Sequence, residues 1–186
     1  YLQQKINNQS LQGSFDFWSL GCATGEEPYS LAMVVNDCFE LAAISPYYGI
    51  TAMDISSSAL AAGRKGRYSI RRIEQVKPDE AKRYLQVCTD GNYEVVSKLR
   101  DRVCFTHTNI IHARQLPVVQ VDVIFCQNLL VYFRRWLRRD VLNALVERLK
   151  PGGLLVVGLG EVVDWEHPEM QRTGDDHVQA YVREER

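Results

Sequence analysis

The sequence has no apolar run approaching the roughly 18 residues a membrane-crossing helix needs, and no signal peptide can be read at its start. A net charge of −1 gives no global pull toward nucleic acid or an anionic bilayer, so neither nucleic-acid binding nor membrane insertion is expected. Cysteine is sparse and odd in number. Cys22, Cys38, Cys88, Cys104 and Cys126 show no CxxC spacing, which argues against a disulfide framework or a thiolate zinc site and for reduced thiols in a cytoplasmic protein. The histidines are His107, His112, His167 and His177; their spacing gives no metal signature, and no metal is expected. Repeats and low-complexity tracts are also missing. What is left is 186 residues with 46% hydrophobic and 24% charged side chains, the make-up of one globular domain with a sizeable core. The chain begins at Tyr1 without a methionine and reads as a piece of a longer protein.

The most informative stretch is 15–30. Phe15, Phe17, Trp18 and Leu20 predict a buried strand ending at Gly21, residues 21–25 form a loop poor in bulky side chains, and Pro28 suits a first helical turn. Strand, glycine loop and helix in that order make the usual seat for an adenosine-bearing cofactor at the carboxyl end of a parallel sheet. Glu26 and Glu27 at the helix start would repel a pyrophosphate. They suit a cofactor carrying positive charge, and S-adenosylmethionine fits that description.

Further along, strands are expected at 49–53, 103–108, 121–126 and 154–158, with helices at 28–38, 56–62 (capped by serine) and 138–149, the last stopped by Pro151-Gly152-Gly153. The alternation predicts an α/β fold with a doubly wound, mostly parallel sheet. Residues 1–14 read as a helix or lead-in arm, and 178–182 as a final antiparallel strand. The interval 64–102 breaks the pattern. A short helix after Pro78 and a hairpin of 85–88 against 93–96, turned by Asp90-Gly91-Asn92, predict an inserted small antiparallel β-subdomain.

Three places in this frame carry candidate chemistry. Asp54 ends the second strand, where an acid accepts hydrogen bonds from both ribose hydroxyls of an adenosine, or else caps the helix that follows. Asn109 and Ile110 follow the third strand, where they either meet the adenine rim and face or form an asparagine turn. The run 126–133, Cys-Gln-Asn-Leu-Leu-Val-Tyr-Phe, is too apolar for an ordinary surface loop. It brings Asn128 and Tyr132 to where a substrate would approach the cofactor, unless it is only a buried turn. Arginine and lysine cluster at 64–72 and again at 134–139; each cluster is either a surface for an acidic partner or a solvated helix face.

Gly-Cys-Ala-Thr-Gly-Glu-Glu-Pro-Tyr-Ser-Leu-Ala-Met (21–33), Ala-Met-Asp-Ile-Ser (52–56) with Gly66-Arg67-Tyr68, Ile-Phe-Cys-Gln-Asn-Leu-Leu-Val-Tyr-Phe (124–133) and Leu-Lys-Pro-Gly-Gly-Leu-Leu (149–155) together resemble the CheR-type chemoreceptor glutamate methyltransferases, across essentially the whole chain. The resemblance implies a class I methyltransferase (Rossmann-like) fold over 15–186. It also implies transfer of a methyl group from S-adenosylmethionine, leaving S-adenosylhomocysteine, to glutamate side chains on the cytoplasmic helices of methyl-accepting chemoreceptors. By position it gives cofactor roles to Gly21, Glu27, Asp54, Asn109, Ile110, Cys126 and Gln127, a substrate role to Asn128, and a catalytic, substrate-facing role to Tyr132. The inserted hairpin would match the subdomain that in some members docks a receptor's C-terminal peptide by strand addition. Three departures stand out. Gln127 replaces the family's usual arginine, Gly158-Leu159-Gly160-Glu161 replaces Gly-His-Ser-Glu, and the small helical domain that precedes the methyltransferase domain, with its candidate catalytic arginine, is not in these residues. The first two suggest a divergent branch serving a type IV pilus chemosensory pathway. A methyltransferase acting on a small molecule or RNA, or a non-catalytic cofactor- or receptor-binding module, are the rival readings.

Overall fold

A computed structural model describes residues 1–8, 11, 13–115 and 119–185; parts of the predicted lead-in arm, residues 9, 10 and 12, lie outside them. The chain runs through α1 (Leu2–Asn7), β1 (Ser14–Leu20), α2 (Glu26–Leu41), β2 (Tyr47–Asp54), α3 (Ser57–Lys65), β3 (Arg67–Tyr68), α4 (Ile70–Ile73) and α5 (Pro78–Tyr84). It continues through β4 (Leu85–Val87), β5 (Tyr93–Val95), α6 (Ser97–Arg100), β6 (Val103–His107), β7 (Val121–Cys126), α7 (Arg135–Val146), β8 (Leu149–Val157), β9 (Met170–Gly174) and β10 (Gln179–Arg183). Short 3₁₀ turns occupy Ile110–Gln115 and Leu130–Tyr132.

Seven strands form one sheet in the order β6-β2-β1-β7-β8-β10-β9. β6, β2, β1, β7 and β8 are parallel, and β10 runs antiparallel to both β8 and β9. The predicted doubly wound α/β fold is therefore present, with the strand order reversing between β1 and β7. That switch point opens a crevice at the carboxyl ends of the strands.

The period-two pattern of β1 explains how the sheet is covered. Phe15 and Phe17 face a core shared with Tyr29, Met33 and Phe39 of α2, whereas Trp18 and Leu20 face a second core with Leu142 and Leu145 of α7. Ser19 follows the register of Phe15 and Phe17 and so points toward α2. That placement sets up its contact with Glu27.

A second sheet, β3-β5-β4, is antiparallel and falls within the predicted insertion. Its hairpin turns at Gly91, where φ is +79°, with the Asp90 carboxylate accepting from the Asn92 N–H at 3.2 Å. The small unit is tied to α2 by polar contacts: Arg83 donates twice to Asp37, at 2.8 and 2.9 Å, and Asn36 donates to the Tyr84 hydroxyl at 2.8 Å.

Several boundaries differ from the sequence expectation. α2 starts at Glu26 and runs on to Leu41, and α7 starts at Arg135 and ends at Val146. Leu149 and the Pro151-Gly152-Gly153 segment belong to β8, not to a helix stop. The register with β7 shifts across that segment, from the Val121–Leu149 pair to the Val123–Leu154 pair, so the strand is held by pairing on either side of it and not by local propensity. β9 was not expected, and its pattern is almost wholly exposed.

Candidate functional site

The crevice at the switch point is a cavity of about 660 Å³, within the range of small-molecule sites. Four strand ends supply its wall: Leu20–Ala23 after β1, Met53–Ile55 at β2, Thr108–Ile111 after β6 and Gln127–Leu129 with Tyr132 and Phe133 after β7, with Glu26 and Glu27 from α2. A larger hollow of about 740 Å³ is built from the segment after β8 and from β9 and β10, away from that convergence of loops.

The loop after β1 folds as its composition demands. Gly21 takes φ +71° and Gly25 takes φ +94°, a region that side chains disfavour. A Cβ on Gly25 would lie 2.9 Å from the Phe105 ring and 3.0 Å from the Tyr68 hydroxyl. The Gly21 and Cys22 N–H groups both donate to the Met53 carbonyl, at 2.8 and 3.1 Å, which draws the loop against the end of β2. Tyr68 of the small sheet donates to the Thr24 carbonyl at 2.8 Å, and Arg72 donates to the Thr24 hydroxyl at 2.7 Å and also pairs with Glu26. Glu26 is thus neutralised. Glu27 is not.

Glu27 is half-buried, and its one polar partner among the described residues is the Ser19 hydroxyl, donating at 2.7 Å. Burial pushes its carboxyl above the ordinary range, and the serine bond pulls it part of the way back. An unpaired carboxylate in a cavity invites a cation. Asp54 offers different chemistry. Its two oxygens accept from the Ala23 N–H at 2.9 Å and the Ser56 N–H at 2.8 Å. A carboxylate has about four lone-pair sites, so acceptor capacity remains for hydroxyls in the cavity. The cap of α3 is the Ser56 hydroxyl, accepting from the Ala59 N–H at 3.2 Å; Asp54 is therefore free to face the cavity.

The other expected residues fall in two groups. Gly21, Asn109, Ile110, Gln127, Asn128 and Tyr132 line the same cavity as Glu27 and Asp54. Asn109 also makes the turn that was the alternative reading, its Oδ1 accepting from the Ile111 N–H at 3.1 Å. Tyr132 stands at the mouth, 80% exposed. Cys126 is the exception: it ends β7 with a fully buried side chain packed in the core shared with Leu20 and Ile124, behind the lining and not in it. Burial keeps its thiol protonated. Cys22 behaves alike, its thiol pushed up to about 12 by burial and by the Asp54 and Glu27 charges.

Sequence reasoning missed the groups that hold these residues in place. Ser19 was legible only as an apolar-strand position. Glu161, given no role and noted only as the last position of a segment that departs from the family pattern at Leu159 and Gly160, turns its carboxylate onto the loop after β7. Much of the first basic cluster is used internally: Arg64 donates to the Phe105 carbonyl at 2.7 Å, Arg67 pairs with Asp90 at 2.9 Å, and Arg72 holds the glycine loop. Its expected availability to an acidic partner is reduced accordingly.

A doubly wound sheet with a glycine loop and two carboxylates converging on its switch point defines a class, the α/β proteins that seat an adenosine-type cofactor at that crevice. The chain belongs, more narrowly, to the CheR methyltransferase, SAM binding domain family, matching it over residues 1–178. It is 33% identical over 146 residues to chemotaxis protein methyltransferase 2 of Vibrio cholerae serotype O1, covering 77% of this chain and 50% of that protein. Identity is also 33% over 151 residues to chemotaxis protein methyltransferase 1 of Pseudomonas aeruginosa, covering 79% of this chain and 54% of that one. The chemotaxis protein methyltransferase of Escherichia coli (strain K12) is 32% identical over 152 residues, 80% of this chain and 52% of its own length. The chain spans about half the length of these curated relatives.

Proposed function

We propose that the protein transfers a methyl group from S-adenosylmethionine to glutamate carboxylates on the cytoplasmic helices of methyl-accepting chemoreceptors, acting in the cytoplasm. The observation that carries this reading is the meeting, in one cavity, of an unpaired half-buried Glu27, an Asp54 with spare acceptor capacity, and Tyr132 at the mouth. The donor set fits the cofactor. Glu27 would hold its cationic amino-acid end, Asp54 the ribose hydroxyls, and Asn109 and Ile110 the adenine edge and face, with Gly21 and Gln127 completing the wall. Cys126 would act only from behind, by packing. Residues 15–186 would form this unit, with the antiparallel insertion at about 64–102 as its peptide-docking element.

When bound, S-adenosylmethionine supplies an electrophilic methyl group on a sulfonium centre. The chain's own residues then have little proton chemistry to do, because a glutamate side chain is already ionised at neutral pH. Binding and orientation dominate: Asn128 and Tyr132 line the cavity at the carboxylate's approach. The Tyr132 hydroxyl has no hydrogen-bond partner among the described residues and can donate to the incoming carboxylate, aligning it for displacement. Transfer from such a cation to a carboxylate would cancel charge, so the residues around Tyr132 would favour it by keeping water, which stabilises the separated charges, away from the site. With Tyr132 so exposed, the docked substrate has to exclude that water.

The relatives named above carry the chemotaxis name, and none supports the type IV pilus assignment suggested by Gln127 and the 158–161 segment. The test is methyl incorporation into a purified chemoreceptor by the full-length protein. Base-labile label is expected, as for a glutamyl ester. Asp54→Ala should weaken cofactor affinity at least tenfold, the scale of one lost charge-assisted hydrogen bond (about 1.5–3 kcal/mol). Tyr132→Phe should lower turnover while leaving cofactor affinity within about twofold. Alkali-stable label would point to another acceptor, and cofactor binding without transfer would leave a binding module.

A further inference from the structure

The loop after β7 is gripped from two sides by side chains outside the cavity lining. Glu161, 5% exposed, accepts from the Gly158 N–H at 2.9 Å and the Asn128 N–H at 3.1 Å through one oxygen, and from the Val131 N–H at 3.4 Å through the other. Arg138 of α7 works on the loop's carbonyls, donating to Phe133 at 2.8 Å and Val131 at 3.4 Å, and to the Glu161 carbonyl at 3.2 Å. The Glu161 segment is itself fixed to β10: the buried Gln179 side chain accepts from the Gly160 N–H at 3.2 Å and donates to the Val162 carbonyl at 2.7 Å.

We propose that Glu161 is a positioning residue for the substrate loop, setting the backbone of Asn128 and, through Val131, the placement of Tyr132. Asn128 sits at φ +56°, a left-handed conformation that asparagine tolerates better than other side-chain-bearing residues. Its N–H, donated to the Glu161 carboxylate, ties that turn to Glu161. The charge type matters. Three N–H donors converge on one side chain, and only a carboxylate has lone pairs for all of them; a glutamine amide would set its own N–H₂ against one donor. Gly158 is part of the device, because a Cβ there would collide with the Glu161 carboxylate. The catalytic consequence rests on the methyltransferase reading above; the clamp does not.

Glu161→Gln in the full-length protein separates the two. Hydrogen–deuterium exchange should rise at least tenfold for the Asn128 and Val131 amides and stay unchanged in β1, β2 and α2. Affinity for S-adenosylhomocysteine should remain within about twofold, since Glu27 and Asp54 are on other elements, while kcat for receptor methylation falls by about 10- to 100-fold, the scale of a misplaced reacting group. Gly158→Ala should reproduce the local exchange pattern with the carboxylate chemically intact. Unchanged amides at 128 and 131 would overturn the proposal. So would faster exchange throughout the sheet with a parallel loss of cofactor affinity, which would make Glu161 a stability residue. A wild-type protein that methylates no receptor would overturn the proposed function, while the exchange contrast would still decide the clamp.

Discussion

A carboxylate half removed from water with one serine hydroxyl for company, as at Glu27, holds its proton more tightly in the folded protein than in the unfolded chain. This group's contribution to stability is fully present below the ordinary glutamate range and is lost as pH rises through the raised folded value. A cationic ligand favours the ionised form, so binding expels the proton and affinity rises with pH across the same window. Calorimetric titration of S-adenosylhomocysteine, which keeps an ammonium group, should show affinity increasing with pH from just above the ordinary carboxylate range. Glu27→Gln should flatten that slope and weaken binding on the neutral side. An unchanged slope would place the titrating group elsewhere. At this scale the sequence showed which residues gather at the cavity, because Glu27, Asp54, Asn109 and Tyr132 follow strand ends. It could not show that Arg72 neutralises Glu26 and leaves Glu27 unpaired, since that pairing spans a fold between distant segments.

Elements were legible where periodicity was strong and the ends carried caps. α3 is an instance: Ser56 caps it through its hydroxyl, as its sequence position predicts. Ser56→Ala should cost about 1 kcal/mol in urea unfolding, with little change in cofactor affinity, because the Ser56 N–H that holds Asp54 is backbone and survives the change. An affinity loss matching that of Asp54→Ala would mean that the cap also shapes the site. The illegible elements were those whose signal comes from a partner. β9 carries exposed residues almost throughout and is a strand only because β10 offers it an edge. β3 has two residues, far too few for a pattern, and exists through Arg67 and Tyr68 pairing with β5. β8 begins in a stretch that reads as a helix stop, yet it pairs with β7 at Leu149 and again from Leu154 onward, the register shifting across the proline and two glycines between them.

For the whole molecule, the two faces of the large sheet are filled by separate apolar cores, and the site lies at the rim where both meet the strand ends. Leu145, fully buried between α7 and the sheet, has no polar role. Leu145→Ala should lower unfolding free energy by about 2–5 kcal/mol, read as a shift in the denaturant midpoint with the slope unchanged. A cost under about 1 kcal/mol would mean that this layer repacks freely. By itself the sequence determined the doubly wound architecture, the cofactor end of the sheet and the carboxylates expected there, because alternating apolar runs and strand-end positions follow from local periodicity. Only the tertiary structure decided which carboxylate stays unpaired, that Cys126 packs behind the cavity lining and not within it, and that Glu161 and Arg138 grip the loop after β7. Those outcomes depend on side chains brought together from far apart in the chain, and no local pattern encodes that distance.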